Sequence, residues 1–346
     1  MAVTIDPALL AAAQCDERGV PLAGRRAELA ALRAAGAADL AAGRIYEGHV
    51  NALQLIGRLG TAAQRARARA DAERGLLFGV WNTQDDDGVR VVDAGSRIAL
   101  AGAKTWASGA GGTVLRPVVT ARLPGGASQM FVVPLERVAA QVDASAWRPL
   151  GMGASDSFRV GFEGVVLEPD ALLGGPGDYE RDPWFLGGAL RFCAVQCGGL
   201  EALLGATASY LRERGRDGDP FQTARVAQMR VGVRTALAVL AAGAEAWSAF
   251  DADPSDANAA AAVDAADVAR VQVERAALDG IELAVRAVGA RGLLEPLPFA
   301  ALVRDLQMYL RQPAPDAALL RVGRTAFAEA SSGRSTASAS FTGTGA

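Results

Sequence analysis

One histidine, one lysine and three cysteines are all that 346 residues carry of the side chains that most often serve as bases, nucleophiles and soft metal ligands. A catalytic histidine needs an orienting carboxylate and a nucleophile, and nothing near His49 in Tyr46-Glu-Gly-His-Val-Asn51 supplies both, so a packing or capping role is expected. Cys15, Cys193 and Cys197 are too few and too scattered for a disulfide framework, and no second Cys/His cluster completes a metal site. Cys193 and Cys197, four apart in an apolar helical stretch, read as buried packing. No uninterrupted apolar run reaches the roughly 20 residues a bilayer span needs, and Met1-Ala-Val-Thr-Ile-Asp6 lacks the basic and apolar regions of a signal peptide. The expectation is a cytoplasmic protein without a membrane partner. Charge of one sign is missing too: 35 basic and 38 acidic residues are interleaved, which leaves no basic stripe for nucleic acid. Lys104 stands alone among arginines in an alanine-rich chain and reads as coding bias.

What is present is enough apolar sequence, 51% of residues, to bury a large core divided into two or three units. Residues 1–74 are rich in Ala, Leu and Arg at helical spacing, with interruptions expected at Gly19, Gly24, Gly36, Gly43, Gly48, Gly57 and Gly60. From 75 to 170 the character changes to short β-prone runs, among them Leu76–Trp81, Val89–Val92, Arg97–Leu100, Val114–Thr120 and Met130–Val133, separated by Asp-Gly, Gly-Gly and Pro-Gly turns. The run Ser157–Leu167 alternates as one half-buried strand. Residues 180–330 return to helical periodicity over 184–214, 219–249, 256–291 and 299–311, with Ser255-Asp256 as an N-cap and Pro313 and Pro315 as the stop. The Ser/Thr/Gly/Ala tail, 331–346, cannot bury enough surface to offset ordering. The expected fold class is α+β multidomain: N-terminal helices, a middle antiparallel β-barrel or sandwich, and a C-terminal four-helix bundle.

That order resembles the acyl-CoA dehydrogenase superfamily over about residues 40 to 328, and motifs carry the resemblance. Gly102-Ala-Lys-Thr-Trp-Ala-Ser-Gly-Ala110 is similar to the family's Gly-x-Lys-x-Trp-Ile-Thr/Ser-Asn-Ala segment, which implies that Trp106 packs on a flavin isoalloxazine and Ser108 hydrogen-bonds near its reactive nitrogen. A flavin carries its own redox chemistry and asks the protein for a flat apolar wall and a few hydrogen bonds. Phe78-Gly-Val-Trp-Asn-Thr-Gln84 takes the place of a segment that meets the flavin pyrimidine, which implies that role for Asn82 or Thr83. Trp147-Arg-Pro-Leu-Gly-Met-Gly-Ala-Ser-Asp-Ser157 resembles the lead into the last strand of the middle domain, with Met152 and Gly153 where an arginine is common. Tyr210-Leu-Arg-Glu-Arg-Gly-Arg-Asp-Gly-Asp-Pro220 resembles the segment whose arginine, here Arg214, holds the flavin pyrophosphate of a neighbouring subunit. Gly289-Ala-Arg-Gly292 resembles the glycine turn that also meets the dinucleotide, with Arg286 in place of a glutamine. A guanidinium pairs bidentately with phosphate, so Arg214 and either Arg286 or Arg225 have a physical reason to serve there. The resemblance therefore implies FAD, a homo- or hetero-oligomer, and an acyl-CoA or acyl-carrier thioester as substrate.

The family's base is the exception. Counting on from Arg304-Asp305 puts Pro313 where the usual glutamate stands, and Leu190, just ahead of Arg191, occupies the alternative home. Asp316 and Glu295 are positional candidates only. Three functions stay open: α,β-dehydrogenation of an acyl thioester, a flavin-dependent monooxygenase on the same fold, and a catalytically silent flavin-binding subunit of a hetero-oligomer.

Overall fold

Capping side chains start the helices where the apolar spacing begins. Asp39 accepts a hydrogen bond from the Ala42 amide, Thr61 and Gln64 cap each other reciprocally, Asp219 accepts from Phe221 ahead of a first-turn proline, and Ser255 accepts from Asn258. The computed structural model describes residues 3–331 other than Gln84, Gly95, Ser96 and Glu295, and leaves the side chains of Asp93 and Ala94 aside. The tail beyond Ser331, expected to stay unpacked, falls outside the described residues.

The N-terminal helices are α1 (Pro7–Ala12), α2 (Arg25–Ala38), α3 (Leu40–Leu59) and α4 (Ala62–Glu73). Gly36, Gly43, Gly48 and Gly57 do not interrupt them as expected. They lie inside α2 and α3, and a Cβ on Gly36 would strike the Val195 backbone while one on Gly43 would strike the Val195 side chain. Gly36 and Gly43 let α2 and α3 press onto the bundle, while Gly57 admits the segment at Cys15–Gly19, a packing use of the residue that resembles a helix break in sequence.

The middle region comprises β1 (Leu77–Trp81), β2 (Arg90–Ala94), β3 (Ile98–Ala101), β4 (Ala103–Ala107), β5 (Val114–Arg122), β6 (Ser128–Val132), β7 (Gln141–Asp143), β8 (Phe158–Gly161), β9 (Val165–Leu167) and β10 (Leu172–Leu173). One sheet runs β10-β6-β5-β2-β3-β9 with β1 beside β5, and a second runs β4-β8-β7. Most pairs are antiparallel as expected, but β1 and β2 pair with β5 in parallel, because the chain enters β5 through a turn at 108–113 and not through a hairpin with β1. The single strand expected over 157–167 is two, β8 and β9, in different sheets. Gly164, in the left-handed region, turns the chain between them.

The C-terminal helices are α5 (Ala189–Glu213), α6 (Pro220–Ala252), α7 (Asp256–Gly292), α8 (Phe299–Tyr309) and α9 (Pro315–Ser331). Pro313 follows the end of α8, and Pro315 starts α9, a further helix beyond the expected stop. Helix α5 is the centre of the bundle: Cys193, Ala194, Val195, Cys197, Leu200 and Leu203 are all sealed from water. By length and composition it could cross a membrane, yet 67% of its most apolar stretch is buried inside the protein. Burying each such leucine contributes about 2 kcal/mol, and the two cysteines act as small apolar side chains whose thiols burial pushes up to about 12. His49 packs as expected: its Nδ1 accepts from the Phe78 amide at 3.1 Å, and burial lowers its pKa to about 4.

Candidate functional site

A bulge in β4 creates one wall of the site. The register between β4 and β8 slips between Lys104 and Ala107, and Trp106 sits there with φ of +55°. A positive φ on a tryptophan costs about 1–2 kcal/mol. The slip turns the indole out of the ladder, leaving it 46% exposed although its neighbours Lys104 and Ala107 are buried. Two residues on, the Ser108 carbonyl accepts from Trp81 Nε1 at 3.0 Å, so the tryptophan of β1 fixes the strand end. The Ser108 hydroxyl meets Ser157 Oγ at 2.9 Å, which meets Ser155 Oγ at 2.8 Å, a chain of three buried hydroxyls. Trp147 stands edge-on to Trp106 at 5.7 Å and donates its Nε1 proton to the Gly153 carbonyl at 3.0 Å.

The opposite wall comes from the end of α8. Gln196, sealed within α5, donates to the carbonyls of Tyr309 and Gln312 at 3.0 and 2.8 Å. Arg270, also sealed, donates to the Pro313 carbonyl at 3.0 Å and to that of Leu310. These two buried side chains pin residues 309–313 against the slot. Arg44 of α3 completes the wall: its guanidinium lies over the Phe192 ring at 5.0 Å and donates to Glu47 at 2.8 Å. Gly151 joins the walls, because any Cβ there would overlap the Arg304 backbone, and the next amide, of Met152, donates to Asp305. Burial raises the Asp305 pKa and that hydrogen bond opposes the rise. The space enclosed by Arg44, Trp106, Ser108, Trp147, Tyr309 and Gln312 measures about 30 Å³.

Beside this slot lies the loop after β1. Asn82 Oδ1 accepts from Thr120 at 2.8 Å, and Lys104 Nζ donates to the Asn82 carbonyl and to Thr120 Oγ1, each at 2.9 Å. Thr83 is exposed, and its carbonyl accepts from the Thr105 amide at 3.1 Å. The only lysine is thus a fully buried strut and no accident of composition. Its pKa falls to about 7, chiefly through desolvation and secondarily through Arg122.

The remaining expected residues gather at the far end of the bundle. Arg214 is exposed and lies over the Tyr210 ring at 4.1 Å, while Tyr210 Oη reaches the Val288 carbonyl at 3.5 Å. That contact sets Arg214 beside the kink of α7, where Gly289 has φ of +66° with open space around it. Gly292 packs tightly on Val288. Arg286 is exposed and pairs through Nε with Glu282 at 2.6 Å, one turn back on the same helix. None of the hydrogen bonds or ring contacts among the described residues joins this group to Trp106 and Ser108. Tyr210 packs on Phe299 at the start of α8 while the slot lies at its end, and ten residues of helix separate them by about 15 Å.

Residues 185–310 match the family model described as acyl-CoA dehydrogenase, C-terminal domain. Solved structures extend the match over most of the chain: the dibenzothiophene monooxygenase TdsC of Paenibacillus sp. A11-2 with FMN and indole superposes with a TM-score of 0.80 at 19% identity, covering 88% of this chain and 84% of that one. Butyryl-CoA dehydrogenase of Megasphaera elsdenii gives 0.78 at 16%, covering 92% and 87%. The methanesulfinate monooxygenase MsuC of Pseudomonas fluorescens gives 0.77 at 19%, covering 90% and 85%. The fold is that of the acyl-CoA dehydrogenase superfamily. No curated protein matches the sequence.

Within this superfamily fold the two carboxylate positions named from sequence hold other chemistry. Pro313 offers only its carbonyl, taken by Arg270, and Leu190 is buried against Gly243 of α6. Asp316 is exposed in the first turn of α9 and does not line the slot, and Glu295 lies outside the described residues. Glu47 is the buried carboxylate near the slot, and it accepts from both Arg44 and Arg191, at 2.8 and 3.1 Å. Arg44, Tyr309, Gln312 and the Ser155–Ser157 pair escaped the sequence reading because they come from three separate regions of the chain, α3, the end of α8 and the segment before β8. Lys104 carries a sequence signal in its place within the tryptophan motif, and Ser155 and Ser157 in theirs within the Trp147–Ser157 segment.

As a flavin seat the residues fit in kind: a turned-out indole, a row of hydroxyls, and across from them the orphaned buried hydroxyl of Tyr309. The volume does not yet admit a ring, since small-molecule sites run from roughly 300 Å³ upward. Separating Trp147 from Trp106 is the movement that would open the slot.

Proposed function

We propose that this chain is a flavin-dependent oxidoreductase that holds FAD across two copies and whose chemistry does not pass through a carboxylate base. The isoalloxazine would lie against Trp106, with Ser108 and the Asn82–Thr83 loop hydrogen-bonding its ring. Arg214 and the Gly289 kink of a neighbouring copy would receive the pyrophosphate. Their separation from the slot by about 15 Å within one chain and their exposure support a second copy, and a pyrophosphate site favours FAD over the FMN of TdsC. The flavin supplies the redox chemistry, while the chain orients it, excludes water and places donors opposite it.

One observation carries the choice of reaction: Arg44, Tyr309 and Gln312 face the slot, and among the described residues no carboxylate lines it. A positioned base contributes about 10²–10⁴ in rate, so abstraction of a thioester α-proton lacks its main device. Oxygen-dependent chemistry, named for TdsC and MsuC, needs no such base. Acyl thioester dehydrogenation is the second reading, favoured only by the burial of Glu47 three residues from Arg44, and it requires Glu47 to leave its two arginines. The test is the fate of the reduced FAD-loaded protein in air. Reoxidation within seconds without another acceptor is expected, and a reduced flavin that persists for minutes would contradict the oxygen-dependent reading.

A further inference from the structure

We infer that Tyr309 and Arg44 are substrate-binding residues, and that the substrate they select is a small aromatic carboxylate. The inference rests on the flavin reading above and adds to it the identity of the molecule that meets the second wall of the slot. Tyr309 lines the slot, its hydroxyl is buried, and that hydroxyl has no hydrogen-bond partner among the described residues. An unpartnered buried hydroxyl costs about 1–3 kcal/mol, and native proteins retain few of them without a ligand, water or mechanistic reason. The placement is built: Gln196 holds the Tyr309 carbonyl, Arg270 that of the next residue, Leu310, and the Tyr309 ring packs on Phe192 at 5.9 Å.

Arg44 supplies the charge. Its guanidinium lies over that same Phe192 ring and borders the same slot, with Glu47 as its one hydrogen-bonded partner among the described residues, and two nitrogens remain for another acceptor. Glu47 is shared with Arg191, so the local balance of Arg44, Arg191 and Glu47 is one positive charge in excess. Burial keeps the Tyr309 phenol protonated and therefore a donor. A phenol donor and an unsaturated guanidinium together match a carboxylate, and once the slot has opened for the flavin, Trp147, Met152 and Met308 give its remainder an aromatic and thioether lining suited to a ring.

The test uses the purified full chain loaded with FAD, with benzoate as the probe, benzamide as its uncharged counterpart, and perturbation of the flavin absorbance as the signal. Benzoate is expected to bind more tightly than benzamide. Tyr309→Phe should weaken benzoate by at least tenfold, and Arg44→Gln should weaken benzoate while leaving benzamide unchanged. Ligand-free Tyr309→Phe should unfold at the same temperature as the wild type or higher, since it removes an unpartnered hydroxyl. A purely structural Tyr309 would instead lower the unfolding temperature, and that result overturns the inference, as does an unchanged benzoate affinity in Tyr309→Phe. If FAD binds but benzoate does not, the inference falls and the flavin reading stands. If FAD does not bind, the flavin reading falls, and calorimetry of benzoate with the flavin-free chain decides the inference by the same variants.

Discussion

Replacing Lys104 by methionine tests whether the single lysine is a buried strut at the flavin wall. Its ammonium is fully sealed from solvent, and desolvation brings its pKa from the ordinary 10.5 to about 7. The unfolded chain therefore binds a proton that the folded chain gives up between pH 7 and 10.5, and wild-type stability rises with pH across that window. Each tenfold difference in proton affinity is worth about 1.4 kcal/mol, and integrating the two titrations gives a gain of about 2 kcal/mol between pH 7 and 9. Methionine removes that term and also leaves the Asn82 carbonyl without its donor, a loss of about 1–3 kcal/mol. Near pH 7 the relieved cost of uncharging the lysine, about 4 kcal/mol by the same integration, outweighs that loss, and at pH 9 it has fallen to about 2 kcal/mol and the two offset. Urea unfolding followed by tryptophan fluorescence at both pH values should show Lys104→Met more stable than wild type at pH 7 and close to it at pH 9. Equal pH dependence in the two proteins would mean that the lysine is not desolvated, and the account of this wall would fail.

Arg214→Ala should weaken FAD retention through gel filtration by at least tenfold relative to Arg324→Ala, another exposed arginine on the bundle; equal retention would remove Arg214 from the cofactor site. Gln196→Leu should lower stability by about 2 kcal/mol by stranding the Tyr309 and Gln312 carbonyls, and an unchanged denaturation midpoint would show that this segment is held otherwise. Trp147→Ala should speed FAD uptake in stopped-flow fluorescence, because it removes the ring that narrows the slot; slower uptake would make Trp147 part of the seat and not its obstruction.

The helices of the bundle were legible because apolar spacing and caps such as Ser255 and Asp219 are local properties of the chain. Glycines were not, since Gly36 in a helix contact and Gly164 in a turn look alike until the partner surface is known. The tryptophan motif pointed to one wall of the slot, yet nothing local reveals that a bulge turns Trp106 outward while Lys104 two residues before it is sealed. The second wall was invisible for a different reason. Arg44, Phe192 and Tyr309 are separated by more than a hundred residues, and only the packing of α3 and α8 on α5 brings them together. Arg286 shows that a motif position does not reveal a residue's local pairing, here an exposed contact with Glu282 on the same helix.

The most direct measurement is the visible spectrum of the FAD-loaded protein during anaerobic addition of acyl-CoA esters of varied chain length. A slot without a carboxylate predicts that the flavin band persists over minutes and bleaches only on addition of dithionite. Rapid bleaching by a simple acyl-CoA would contradict the account, and loss of that bleaching in Glu47→Gln would name the base it overlooked.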